Sequence, residues 1–285
     1  MEKNNPRTPL IEKGWLRAVI ICLTLFLASW TIGTVSAMAM LATGNGKTAE
    51  DLETVNLLSL LIYVIVSAAL AIVFRLFIDR QPISSLGFHP EHNRNDAWVG
   101  LLLSMVLLGT GCLALYFAGS LSWIDTNFSG PSFFIATVFM LMVAVSEEMV
   151  FRGYVLNNLM ESFNKWTALL ISALLFTFAH LFNPQLTPLA IINLFLGGVL
   201  LGINFIYTRT LWFAIGFHFG WNLLQGYVLG FPVSGFSDDT MLQQELRGPA
   251  IMTGGTFGFE GSIVATVVLI AAIGLFYYVY EKKQV

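Results

Sequence analysis

Residues 166–208 read WTALLISALLFTFAHLFNPQLTPLAIINLFLGGVLLGINFIYT, 43 residues with no Asp, Glu, Lys or Arg and a single histidine, His180. A helix needs roughly 20 apolar residues to cross about 30 Å of hydrocarbon, so this stretch is long enough for two crossings. The run Asn183-Pro184-Gln185-Leu186-Thr187-Pro188 divides it, because proline lacks the N–H that a helix interior requires. Two helices joined by a tight turn are expected. Working outward, uncharged runs at 18–46, 55–74, 97–124, 126–146 and 261–280 each suit one span, and residues 210–229 form another around His218. The total is eight.

Composition agrees with a membrane protein. Of 285 residues, 56% are hydrophobic and 11% charged, against about 25% charged in an ordinary soluble domain. With 24 Phe and 7 Trp, the apolar material exceeds what one core could enclose, so lipid must solvate the rest. A soluble globule is excluded. The expected fold is an all-α polytopic bundle in one membrane domain, residues 1–285, with N-terminal helices over 15–119, an external loop over 230–260 and a last span over 261–280. The first uncharged run exceeds the apolar region of a signal peptide, about 7 to 15 residues, and is read as a retained helix. The net charge of −3 and the lack of a basic run argue against nucleic acid as a partner. Cys22 and Cys112 lie in apolar stretches and suggest neither a disulfide framework nor a zinc site.

Positive residues are retained preferentially on the cytoplasmic side. Eight spans place Lys3, Arg7, Lys13, Arg17, Arg75, Arg80, Arg94, Arg152, Lys165, Arg209, Lys282 and Lys283 on one side, and only Lys47 and Arg247 on the other. Both termini are therefore expected in the cytoplasm. Residues 79–96 then form a cytoplasmic connection, in which His89 and His92 read as solvated. Residues 230–260 are external and long enough to fold back as a lid.

A charge inside a span costs about 2.5–3.5 kcal/mol on insertion scales, so such residues face a cavity or a partner. Ser146-Glu147-Glu148-Met149-Val150-Phe151-Arg152 holds two acids and a guanidinium in the fourth span. Glu148 and Arg152 are four apart and share a helical face, whereas Glu147 is turned about 100° away. One acid can pair while the other stays available. His180 lies in the fifth span, and His218 and Asn222 project from one face of the seventh. At 1.5 Å per residue, Glu147, His180 and His218 stand about 22, 22 and 14 Å from Ser162, Lys165 and Arg209, depths that permit one cavity. A carboxylate can take a proton from water, a histidine can orient that water, and an amide or imidazole can donate to an oxyanion. Hydrolysis is the chemistry that suits this set.

Glu147-Glu148-x-x-x-Arg152, Phe176-x-x-x-His180 and His218-x-x-x-Asn222, in this order on separate spans, resemble the signature motifs of the CAAX prenyl proteases and bacteriocin-processing proteins, the CPBP or Abi family. The strong part of the resemblance covers residues 130–225, which would be the protease core. The stretch 248–261, ending Gly254-Gly255-Thr256-Phe257-Gly258-Phe259-Glu260-Gly261, also looks like bacterial members. The resemblance implies a glutamate-dependent intramembrane endopeptidase in a bacterial cell membrane, with a membrane-associated protein or peptide, prenylated or not, as substrate. In that role Glu147 and His180 activate water, His218 and Asn222 stabilise the tetrahedral intermediate, and Glu148 and Arg152 support the first acid. It implies no cofactor. Two His and a Glu could still hold zinc with an open position for water, although His-Glu-x-x-His is absent from the sequence.

Two other classes stay open at this level: a non-catalytic immunity protein that uses the cavity only to bind, and a proton-coupled transporter. The cavity is expected to open towards the cytoplasm or sideways to lipid. Gly198 and Gly202, a small-x-x-x-small pair, suggest close helix packing, with Gly197 a further small site. Asn193 suggests an interhelical hydrogen bond, with reach into the cavity as the alternative, and Trp166, Trp212 and Trp221 suggest anchors or filler.

Overall fold

A computed structural model of the chain describes residues 8–43, 49–89, 95–236 and 239–282. Lys3, Arg7, Lys47, His92, Arg94 and Lys283 lie outside the described residues. Eight helices of more than ten residues are present among those described: α1 Gly14–Thr43, α2 Ala49–Val73 continuing through Phe74–Ile78, α3 Asp96–Phe117, α4 Gly130–Leu159, α5 Lys165–Ala179, α6 Pro188–Thr208, α7 Trp212–Leu223 continuing through Leu224–Val228, and α8 Ile263–Lys282. Six of them, α1 to α4, α6 and α8, are long and apolar enough to cross a membrane. The 15 residues of α5 rise only about 22 Å. The architecture is an all-α polytopic membrane bundle.

Local sequence sets the helix starts. Ser129 Oγ accepts the Ser132 N–H at the head of α4, Asn164 Oδ1 accepts the Trp166 and Thr167 N–H groups before α5, and Thr187 Oγ1 accepts from Ala190 before α6. Pro188 occupies the first turn of α6, where its missing N–H costs nothing. The fifth helix is shorter than expected. It stops at Ala179 and leaves His180 as its C-cap, because Pro184 has no N–H to offer the His180 carbonyl; Asn183 N–H bonds that carbonyl instead and closes a turn.

The run at 97–124 is not one helix either. α3 ends at Phe117, and Leu121–Thr126 forms a strand, β1, pairing antiparallel with β2, Leu242–Leu246. Trp123, Ile124 and Thr126 favour a strand, and pairing satisfies their backbone groups. The described part of 230–260, the stretch expected to be external, contains β2, the one-turn helix Ala250–Thr253 and two short 3₁₀ turns.

The ends of the bundle define two faces. On the termini face Trp15 N–H bonds Ser162 Oγ, Tyr207 Oη donates to Glu281 Oε1, and Arg209 Nη1 donates to Asn157 Oδ1. The start of α1 and the end of α8 therefore lie together. β1, β2 and the α5–α6 turn occupy the opposite face. Asp79, expected in a solvated connection, is instead buried on the termini side of the bundle. Its carboxylate receives Arg17 Nη1 at 3.1 Å, Arg75 Nη1 at 2.8 Å, Tyr154 Oη at 2.9 Å and Asn158 Nδ2 at 3.1 Å. This ties α1, α2 and α4 together.

Close packing relies on glycine at two contacts. A Cβ on Gly216 of α7 would stand 2.0 Å from the Ala97 carbonyl oxygen, and one on Gly100 of α3 would stand 2.2 Å from that of Phe213. On α6, Gly198 packs against Ala173 and Gly202 against Leu169 of α5, as their spacing implies.

Candidate active site

A cavity of about 550 Å³ lies between α2, α4, α5, α6 and α7. It is lined by Glu147, His180, His218 and Asn222 together, with Phe176, Asn193 and Glu260. α4 brings the acids. Its ladder widens to π-helical bonding over Met149–Leu156, immediately after Glu148, and every residue of that segment is buried. Such widening is frequent at functional sites.

The two acids have different surroundings. Glu148 is fully buried; its Oε1 accepts Arg152 Nη1 at 2.8 Å and lies 2.8 Å from His218 Nδ1. Arg152 Nη2 also reaches the Gly198 carbonyl at 3.3 Å, and the guanidinium carbon sits 4.5 Å from the centre of the Phe176 ring. Glu147 faces the cavity. Its Oε2 lies 3.8 Å from His180 Nε2 and 3.9 Å from His218 Nε2, and no described group hydrogen-bonds it.

The histidine tautomers follow from their other nitrogens. His180 Nδ1 is 2.8 Å from the Phe176 carbonyl, which can only accept, so Nδ1 carries the proton and the lone pair of a neutral ring is on Nε2. Phe176, four residues earlier, thus orients His180 through its backbone and packs its ring 4.5 Å away. His218 Nδ1 likewise faces the acceptor Glu148. Both Nε2 atoms point at Glu147. Asn222 is buried one turn beyond His218 on the same cavity wall.

The sequence did not single out Glu260 as a site residue. Its Oε2 accepts both the N–H and the hydroxyl of Ser234 at 3.0 Å, and its Oε1 accepts Trp221 Nε1 at 3.2 Å. Burial pushes this carboxyl above the usual carboxylate range, against the opposing pull of Ser234, His180 and His218. Glu260 thereby fastens residues 233–236, which line the cavity, to the helix carrying His218. The only sequence signal was a lone acid in a glycine-rich run. Gly258 explains that run: it sits at φ +103°, and a Cβ there would be 1.8 Å from the Pro232 carbonyl oxygen. Trp221 is accordingly more than filler. Asn193 makes the hydrogen bonds its position suggested, donating to the Glu260 and Ser262 carbonyls at 2.7 and 2.8 Å and accepting from Thr266 of α8 at 2.7 Å.

With this geometry in hand, the comparison with known families is specific. Residues 129–224 match the family model described as Type II CAAX prenyl endopeptidase Rce1-like. This segment belongs to the CAAX protease family. No curated protein matches the chain. The CAAX-protease segment contains the acids, both histidines and Asn222, while Glu260 lies outside it. The family indicates a hydrolase acting on membrane-associated protein substrates.

The cavity, expected to open towards the cytoplasm or sideways to lipid, has its loop walls at one end of the bundle. The loop residues that line it, Asn183, the 233–236 segment and Glu260, all come from the face opposite the termini. The α5–α6 turn and the 233–236 segment also touch directly, since a Cβ on Gly235 would be 2.0 Å from the Pro184 carbonyl oxygen.

Proposed function

We propose that this protein is an intramembrane endopeptidase of a bacterial cell membrane, with both termini cytoplasmic, that hydrolyses a peptide bond with water activated by Glu147 and His180. The observation that carries this reading is the unpartnered Glu147 Oε2, set 3.8 and 3.9 Å from two imidazole Nε2 atoms inside a 550 Å³ cavity. A water donating one proton to Glu147 and one to His180 Nε2 fits between acceptors at about this spacing. Its oxygen attacks the scissile carbonyl carbon while Glu147 takes a proton. The oxyanion that forms receives hydrogen bonds from a protonated His218 Nε2–H and from the Asn222 amide. Glu148 holds the far side of the His218 ring. Collapse breaks the C–N bond, and the leaving amine takes the proton from Glu147. The products are a carboxylic acid, which keeps the second proton of the water, and an amine; proton transfer between them gives carboxylate and ammonium.

No step in this scheme requires a metal or a cofactor. The substrate is a membrane-associated protein or peptide, prenylated or not. Comparative proteomics of cells expressing the parent or Glu147→Ala tests the reading: peptide termini present only with the parent support it. Equal sets of termini, with toxin protection retained by Glu147→Ala, would instead indicate a binding protein. Activity of the purified protein that is lost to a chelator and restored by zinc would replace the proposed base by a metal-bound hydroxide.

A further inference from the structure

We infer that Tyr63 is a further substrate-binding residue of this cavity: its hydroxyl donates a hydrogen bond to the backbone carbonyl next to the scissile one and so holds the peptide between α2 and α7. This rests on the peptidase reading above. Three features of the structure lead to it.

The frame comes first, and α4 supplies it. At about 100° per residue, Ser146 and Glu148 project from this helix about 160° apart, with Glu147 between them. Ser146 Oγ lies 2.6 Å from Ser67 Oγ and donates to the Val64 carbonyl at 3.0 Å, so α2 covers that side of α4. On the other side Glu148 reaches His218 of α7 at 2.8 Å. Glu147 therefore projects into the gap between α2 and α7. Each wall of the gap is a helical face: His218 and Asn222 on α7, and Asn56, Leu60, Tyr63 and Ser67 on α2. Tyr63 stands one turn from Ser67, within electrostatic range of Glu147.

Second, the Tyr63 hydroxyl is available. Several other polar side chains of the lining are engaged: Ser67 with Ser146, Asn193 with the Glu260 and Ser262 carbonyls, and Glu260 with Ser234 and Trp221. The half-buried Tyr63 has no hydrogen-bond partner among the described residues, although a phenol can donate as well as accept. Asn56, also on α2, is exposed and lies about 10 Å farther along the helix. Third, a bound peptide brings the acceptor. Successive carbonyls of an extended chain point to opposite sides. With the scissile oxygen directed at His218 and Asn222 on α7, the next carbonyl faces α2. In a cavity lined mostly by apolar side chains, that carbonyl needs a donor in place of the water it has lost. Tyr63 supplies it.

Tyr63→Phe removes only the hydroxyl, and its kinetics test the inference. The probe is an internally quenched peptide ending in a farnesylated CAAX box, cleaved by the purified protein in detergent. The expected KM is about tenfold above that of the parent, the effect of one neutral hydrogen bond, with kcat within about threefold, as for a contact made equally in ground and transition states. Fluorescence anisotropy with the same peptide should show binding about tenfold weaker for Glu147→Ala combined with Tyr63→Phe than for Glu147→Ala alone. The melting temperature of Tyr63→Phe should equal that of the parent, because the hydroxyl has no partner inside the protein to lose. Unchanged KM and affinity overturn the inference, as does a fall in kcat alone or a lowered melting temperature, which would make the hydroxyl structural. A parent that cleaves the peptide no faster than Glu147→Ala removes the peptidase reading and the inference with it. The Tyr63 contact fails by itself when the parent is active and Tyr63→Phe matches it.

Discussion

His218 Nδ1 stands 2.8 Å from Glu148 Oε1, the same oxygen that accepts Arg152 Nη1 at 2.8 Å. One buried carboxylate oxygen thus neutralises a guanidinium and orients the imidazole whose other nitrogen faces Glu147. Glu148→Gln keeps the shape but loses the charge. Its kcat should fall about 10–100-fold with KM near the parent value, by analogy with loss of the outer partners of metal-ligating histidines. Glu148→Ala also strands Arg152 in the core, which costs about 3–5 kcal/mol, whereas pairing it with Arg152→Met should recover stability and not activity. Thermal unfolding in detergent, beside peptide cleavage, separates these effects.

The Asp79 cluster should matter for folding alone. Asp79→Ala leaves Arg17 and Arg75 buried without their shared acid, and a loss of about 3–5 kcal/mol is expected. Turnover per folded molecule should match the parent, since none of these groups lines the cavity. A large drop in kcat with unchanged melting temperature would contradict the assignment.

The α3–α7 contact admits no methyl group at Gly216, where it would meet the Ala97 backbone. Gly216→Ala should destabilise by about 1–3 kcal/mol and lower cleavage by shifting α7, which carries His218 two residues on. Gly109→Ala in α3 meets nothing within 4 Å and serves as the control. Equal behaviour of the two variants in melting and cleavage would rule out this account.

Glu260 supplies a pH dependence with a definite sign. Its carboxyl is raised above the ordinary range, so the folded chain holds a proton that the unfolded chain releases. The stabilisation is complete below the ordinary Glu value near 4.3 and is lost as pH climbs from there to the raised value. Melting temperatures recorded across that window should decline for the parent and stay flatter for Glu260→Gln. A slope unchanged by the substitution would place the titrating group elsewhere.

Much of this protein could be read from residue order because the bilayer restricts the choices. Uncharged length identifies spans, and a charge within a span must have a partner or a cavity, so Glu147, Glu148, Arg152, His180, His218 and Asn222 stood out at once. The four-residue spacings carried local geometry: Glu148 with Arg152 and His218 with Asn222 lie on common faces because a helix turns in 3.6 residues. Those relations hold whatever surrounds the helix.

What only the tertiary structure decided are contacts between segments far apart in the chain. Glu260 reaches Ser234 and Trp221 because glycines at 254 and 258 let the loop double back. Asp79 becomes a buried hub because α1 and α4 converge on the end of α2. β1 exists because residues 242–246 lie alongside it. The end of the bundle at which the cavity is lined by loops depends on where α5 stops and on how residues 233–236 settle against Pro184. Periodicity records which face of a helix is apolar; which neighbour that face meets, and which end of the bundle is left hollow, follows from packing the whole chain at once.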